Sequence, residues 1–232
     1  MMLEPREDAE EELIVDKIYE AVLDQRLGPG TKLSEVELCE AFGVGRMRIR
    51  RSLLLLASRE VVELLPNRGA FVAKPTAQQA ADTFEARLIM EPPLLKMLLG
   101  RAQASDLAQL EQHLQDEADA RESGKRREAI RLSGLFHTHI AQLAGNTVMM
   151  RAVKDLVARS SLIIGLYGDP GLNICRDDEH TGIIEALQAK DADQAQKLMV
   201  SHLEHLKEHL DLGPQKHAPK SLVELFSTET LP

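Results

Sequence analysis

The chain has 232 residues, 44% hydrophobic, 28% charged and only 3% aromatic, with a formal net charge of −9. This is a globular composition with material for one large domain or two ordinary ones around an aliphatic core. It contains no low-complexity segment, and no apolar run approaches the ~20 residues of a membrane span. Cys39 and Cys175 form no CxxC unit and no disulfide framework, which fits a reducing compartment. The opening MMLEPREDAEEEL is acidic, unlike a signal peptide, so a cytoplasmic location is expected. Abundant Leu and Ala lean the chain towards helix.

Helical spacing begins at Leu13, with Ile14, Ile18, Val22 and Leu23, and a helix is expected over about 13–27, before Gly28-Pro29-Gly30. Ser34 with Glu37 three residues on is a capping-box start for a second helix, SEVELCEAF, which stops at Gly43. A third is expected over about 45–58, with Ile49, Leu53 and Leu56 facing inward. The link between them, Gly43-Val44, suits a helix-turn-helix corner. Val61–Leu65 and Ala70–Ala73 flank Pro66-Asn67-Arg68-Gly69 and read as a β-hairpin. Three helices and a hairpin in this order form a winged helix-turn-helix, assigned to residues 1–75.

Beyond Pro75 the period-2 pattern vanishes. Thr76 is positioned to cap the next helix. Helices are expected at about 77–101, 104–122, 125–144, 147–166, 176–189 and 192–212, with Pro92-Pro93 kinking or breaking the first and a loop at 167–175. Residues 76–213 thus read as an all-α antiparallel bundle and 214–232 as a loosely held tail. The fold class is mainly α.

Charge is unevenly distributed. Gly43–Thr76 carries seven basic residues against two acidic ones, a local +5 that leaves −14 on the rest. Such a patch directs a polyanion to one face of an acidic protein. On the third helix Arg46 and Arg50 are four apart, as are Met47 and Arg51, so the helix can offer arginines on one side and apolar anchors on the other. A guanidinium fork matches guanine O6/N7 or a phosphate. A merely solvated basic helix face is the alternative.

ELCEAFGVGRMRIRRSLLLLASREVVELLPNRGAFVAKP resembles the DNA-binding domain of the GntR family of bacterial regulators. The usual GVSRTPVREAL is GVGRMRIRRSL here, so a hydroxyl contact is replaced at Met47 and the helix is more basic. FEARLIME, LFHTHIAQLAGN and EHTGIIEALQAKDADQAQKLMVSHL resemble the all-helical FCD domain of the FadR subgroup. The resemblance implies double-stranded DNA as a partner. It gives Arg46 and Arg50 base- and phosphate-contacting roles and sets Arg68-Gly69 in the adjacent minor groove. The candidate DNA-contacting set is Arg46, Met47, Arg48, Arg50, Arg51, Asn67, Arg68 and Gly69.

His180 and His202 each lie eleven residues from Asp191, where a turn is expected, so an antiparallel helix pair would bring them to equal height. His137 lies mid-helix among apolar residues. The FCD resemblance implies a divalent metal, zinc or nickel, on His137, His180 and His202. The family's Asp four residues before the first histidine is Ser133 here. Three imidazoles can hold such an ion with open positions; a polar pocket that meets an anionic effector directly, or a set of satisfied core histidines, fits the same residues. His205 and His209 read as a polar stripe, and His139 points to another face. The resemblance also gives Arg87 a role on an effector carboxylate, with Ser133 at the pocket; an Arg87–Glu91 salt bridge is the alternative.

These features point to a transcription regulator whose operator affinity is set by a small organic acid. A homodimer would match a palindromic operator. Two other classes remain: a metal-dependent enzyme on a helical bundle, or an architectural DNA binder without an effector. No carboxylate at motif spacing serves as general base and no nucleophile–base pair is evident, which argues against an enzyme; a pocket lined with polar groups argues against the architectural binder.

Overall fold

The computed structural model describes residues 5–168 and 179–210. The chain divides into two compact units at the Lys74–Pro75 junction. The first holds α1 (Pro5–Leu23), β1 (Lys32–Leu33), α2 (Glu35–Phe42), α3 (Arg46–Ser58), β2 (Val62–Leu65) and β3 (Gly69–Val72).

α1 buries Ile14, Ile18 and Val22 along one stripe. It starts eight residues before the expected Leu13 and ends four before Leu27. The early turns carry no large apolar residue, so periodicity cannot reveal them. Proline at the first helical position and acidic residues at the positive end of the helix dipole nevertheless favour them. At the other end Gln25 takes φ 55°, and Leu27 folds back, its N–H donating to Ala21 O at 2.9 Å.

Ser34 caps α2, its Oγ accepting from the Glu37 N–H at 3.4 Å, and Gly43 ends it at φ 66°. α3 follows after three residues and buries Ile49, Leu53 and Leu56 against α1 and α2. The sheet is antiparallel in the order β1-β3-β2. The hairpin register runs from Val62 opposite Val72 to Leu65 opposite Gly69. β1, absent from the sequence expectation, pairs Lys32 with Phe71 and Leu33 with Ala70; two residues are too few to show alternation. The hairpin turn closes with Arg68 N–H donating to Leu65 O at 3.1 Å. Pro66 and Asn67, the latter at φ 58°, occupy the central positions of a type II turn, which needs a positive φ second.

The second unit is built from α4 (Ala77–Leu99), α5 (Ala104–Glu122), α6 (Arg126–Leu143), α7 (Thr147–Tyr167), α8 (Glu179–Gln188) and α9 (Ala192–Glu208). Thr76 and Gln79 form a reciprocal capping box on α4. Pro92 and Pro93 do not break this helix. Prolines there remove the donors that would serve the carbonyls of Leu88 and Ile89. Ile89 is exposed, so water can replace them, while Phe84, Leu94, Leu95 and Leu98, all buried, hold the two halves in the core. α4 packs against α6, α7 and α9; α5 packs against α6 and α8. Lys190 at φ 59° turns the α8–α9 hairpin, and Asp191 caps α9. Among the described residues this unit has no ladder strand, only an isolated antiparallel bridge between Gly168 and Leu210. Most of the expected 167–175 loop, Cys175, the start of the expected 176–189 helix and the 214–232 tail lie outside the described residues.

Candidate functional site

The basic surface of the first unit is divided by ion pairs. Arg48 Nη1 lies 2.5 Å from Glu10 Oε2, and Arg51 Nη1 lies 3.1 Å from Glu11 Oε1. Both arginines therefore tie α3 to α1. Ser52 Oγ adds a hydrogen bond to Glu11 O at 3.4 Å. Arg46, Met47 and Arg50 are exposed on the N-terminal half of α3, Met47 at 64%. Arg50 Nε–H reaches both carboxylate oxygens of Glu35 at 2.9 Å. Asn67, Arg68 and Gly69 form an exposed wing tip; the Arg68 guanidinium sits 5.4 Å from the centre of the Phe71 ring. The eight residues picked out by sequence are thus not equivalent: two tie α3 to α1, three lie exposed on it with Arg50 paired to Glu35, and three form the wing.

In the second unit His137 on α6, His180 on α8 and His202 on α9 meet in the core, each at most 2% exposed. His180 Nε2 and His202 Nε2 are 3.1 Å apart, and His202 Nε2 and His137 Nε2 are 3.2 Å apart. One donor nitrogen from each lies within 4.8 Å of the others. The equal height of His180 and His202 about Asp191 is what the antiparallel hairpin delivers.

Each imidazole is backed by a carboxylate at its other nitrogen. His180 Nδ1–H donates to Glu117 Oε2 at 3.0 Å and His202 Nδ1–H to Glu179 Oε2 at 2.7 Å. His137 Nδ1 lies 2.7 Å from Glu91 Oε2, an ion-pair distance at an angle poor for a hydrogen bond. Arginines one turn away hold two of these acids: Arg87 Nε donates to Glu91 Oε1 at 2.5 Å, and Arg121 Nη2 lies 2.8 Å from Glu117 Oε1. Glu179 also meets His205 Nδ1 at 2.7 Å. Phe136 stacks on His180 with ring centres 4.0 Å apart.

The electrostatics follow from this layout. Burial pushes the His202 imidazole down, the neighbouring His180 adds to this, and Glu179 only partly opposes it, leaving a pKa of about 4. Burial likewise drives His137 well below its ordinary value against the pull of Glu91. For Glu91, burial favours the neutral acid, but Arg87 and His137 override it and hold the carboxyl far below the usual range. Glu117 and Glu179 are also lowered: burial opposes ionisation, and the histidine contacts outweigh it.

These residues fit a cation. Carboxylates at the Nδ1 atoms assign the protons there and leave three Nε2 lone pairs facing one another, with no proton to share across the 3.1 and 3.2 Å contacts. Nitrogen ligands at ~2.0–2.1 Å around a tetrahedral ion stand about 3.3 Å apart, close to the two spacings about His202 Nε2. Ser133 is buried one helical turn before His137. Arg87 engages Glu91, the salt bridge that was the alternative to an effector contact. His113 and His139 pair elsewhere, with ring centres 4.9 Å apart. Sequence reasoning missed Glu117 and Glu179 and saw Glu91 only as a partner of Arg87. The one local signal was Glu179 immediately preceding His180.

A winged helix-turn-helix followed by a helical unit with a buried polar centre defines a ligand-responsive DNA-binding regulator. The description "Bacterial regulatory proteins, gntR family" matches residues 11–72, and the FCD domain matches residues 82–205. The chain belongs to the GntR family, with a C-terminal FCD domain, and is a transcription regulator whose DNA binding is under effector control. It is 27% identical over 185 residues to the HTH-type transcriptional repressor RspR of Escherichia coli K12, covering 78% of this chain and 80% of that one. It is also 27% identical over 225 residues to the galactonate operon transcriptional repressor of the same organism, covering 84% and 96%. In fold it is similar to E. coli McbR/YncC (TM-score 0.75, 18% identity, 84% and 93% covered). It is also similar to a GntR transcriptional regulator from Rhodococcus sp. RHA1 (TM-score 0.74, 20% identity, 86% and 96% covered). No described helix is long and apolar enough to cross a membrane.

Proposed function

We propose that this chain, within the FadR subgroup, binds a palindromic operator as a homodimer, and that its FCD domain holds a divalent metal, zinc or nickel, together with an organic-acid effector. The carrying observation is the meeting of three buried imidazole Nε2 atoms, each backed by a carboxylate. Neutral nitrogen donors suit zinc and nickel. Three protein ligands leave positions for water or an effector oxygen, and the bound ion supplies a Lewis-acidic anchor for an anion. His137, His180 and His202 are the ligands. Glu91, Glu117 and Glu179 orient them, and Arg87 neutralises Glu91 while Ser133 stands a turn from His137. A carboxylate effector also accords with a relative named for the galactonate operon. The protein binds and releases; it turns nothing over.

On DNA, the N-terminal half of α3 enters the major groove with Arg46, Met47 and Arg50, and Asn67, Arg68 and Gly69 carry the wing into the minor groove. Arg48 and Arg51 hold α3 on α1. The test is direct. Protein purified without chelator or affinity resin should contain one zinc or nickel per chain, and chelation followed by zinc should shift its melting reversibly. Metal absent from the purified protein, together with no zinc-induced shift, would sink the metal half and leave a polar pocket. A carboxylate found by thermal shift should change the affinity for a duplex selected from a random pool; no effect from any carboxylate would sink the effector class.

A further inference from the structure

Among the described residues, Glu35 on α2 pairs with Arg50 on α3, an exposed contact made by an acidic side chain to a residue assigned to read DNA. Glu35 lies in the first turn of α2 and Arg50 mid-way along α3, and their side chains are 35% and 56% exposed. An exposed pair of this kind contributes little to stability. A carboxylate facing DNA also repels phosphates. Its placement therefore needs another reason, and the geometry supplies one. Both Glu35 oxygens accept from the single Nε–H of Arg50 at 2.9 Å. That contact fixes the plane of the guanidinium and occupies its inner donor, while the two terminal nitrogens keep their fork for an outside acceptor. The positive end of the α2 dipole favours the carboxylate where it stands.

From this geometry we infer that Glu35 is a positioning residue for sequence reading: it holds the Arg50 guanidinium end-on, so that Nη1 and Nη2 address the O6/N7 edge of a guanine rather than a backbone phosphate. This deepens the DNA-binding assignment above and rests on Arg50 as a base reader. An arginine ordered before binding loses less side-chain entropy on contact. One already committed to a carboxylate also adds less to non-specific, counterion-driven attraction. Glu35 therefore raises discrimination by helping the specific complex and penalising the non-specific one.

The experiment compares the full chain with Glu35→Ala, Glu35→Gln, Arg50→Ala and the Glu35→Ala/Arg50→Ala double variant. The probes are a duplex selected by the wild-type protein from a random pool and a scrambled duplex of equal length. Glu35→Ala should lower the specific-to-scrambled affinity ratio about tenfold and leave the melting temperature unchanged. Its log K against log salt slope on scrambled duplex should steepen by about 0.9, as Arg50 turns to a phosphate. Glu35→Gln, which keeps one acceptor, should fall between. On the Arg50→Ala background, removing Glu35 should leave the ratio where Arg50→Ala put it. Equal losses on both duplexes, an unchanged ratio for Glu35→Ala, or additive effects in the double variant would overturn the inference while leaving Arg50 a reader. An unchanged ratio for Arg50→Ala would overturn the base-reading assignment itself, and this inference with it.

Discussion

Arg87 and Glu91 show how far a single pair can govern the histidine centre. Their side chains are 3% and 1% exposed, so each ion has given up nearly all its hydration. Such pairs are weak sources of net stability, but removing one partner leaves the other charged and buried, typically at ~3–5 kcal/mol. Arg87→Met should therefore destabilise the second unit by about that much, and Arg87→Met/Glu91→Leu should recover much of the loss, both read from urea unfolding. If the double variant is no more stable than Arg87→Met, the pair is not the source. Glu117→Gln tests the backing carboxylates differently. Its amide oxygen still accepts from His180 Nδ1–H, but the charge that raises ligand basicity is gone. Zinc affinity, measured by competition with a chromophoric chelator, should drop about 10–100-fold with the helical content intact. His180 and His202 were legible in the sequence because equal spacing about Asp191 is a statement about height in a hairpin, and His137 joined them only through the FCD resemblance. Glu91, Glu117 and Glu179 were not, since they come from three different helices, α4, α5 and α8, and no spacing along the chain encodes which acid ends beside which imidazole.

At the scale of elements, α6 and α7 pack tightly at Gly134. A Cβ placed on Gly134 would lie 3.0 Å from Val157 Cγ1, and Val157 is buried with a stiff β-branched side chain. Alanine in a helix interior would ordinarily gain about 0.5–1 kcal/mol over glycine. Here the overlap should reverse the sign, because overpacking costs ~1–3 kcal/mol. Gly134→Ala should lower the melting temperature, and Val157→Ala in the same chain should offset part of the loss non-additively, as neighbours do. A Gly134→Ala protein that melts higher would mean that α6 and α7 separate freely. Most helices were readable from caps and periodicity; α5 falls at Ala104–Glu122 as expected. The departures have physical causes. The opening turns of α1 are largely polar, and two of their acids, Glu10 and Glu11, pair with Arg48 and Arg51, a tertiary fact. β1 is too short to alternate. Pro92-Pro93 reads as a break until packing on both sides of it is known.

Across the whole molecule, regulation is a statement about free energy shared between two ligands. Suppose the effector changes the affinity for operator by some factor. Thermodynamic linkage then requires operator to change the affinity for effector by the same factor, commonly 5–150-fold. The family defines the two ligand classes, and the three histidines are the place we propose for the second. We therefore expect a carboxylate that weakens operator binding to be bound more weakly, by an equal factor, when the selected duplex is saturating. Calorimetric titration of the zinc-loaded protein with and without duplex measures one side of the cycle, and duplex titration with and without carboxylate measures the other. His202→Ala removes one ligand and one backing contact, so it should abolish the factor on both sides while leaving operator affinity without effector unchanged, because Arg46 and Arg50 belong to the other compact unit. A factor that persists in His202→Ala would show that the carboxylate acts through some site other than the histidine centre. A lost operator affinity in His202→Ala without effector would show that the centre is needed for DNA binding itself rather than for its control.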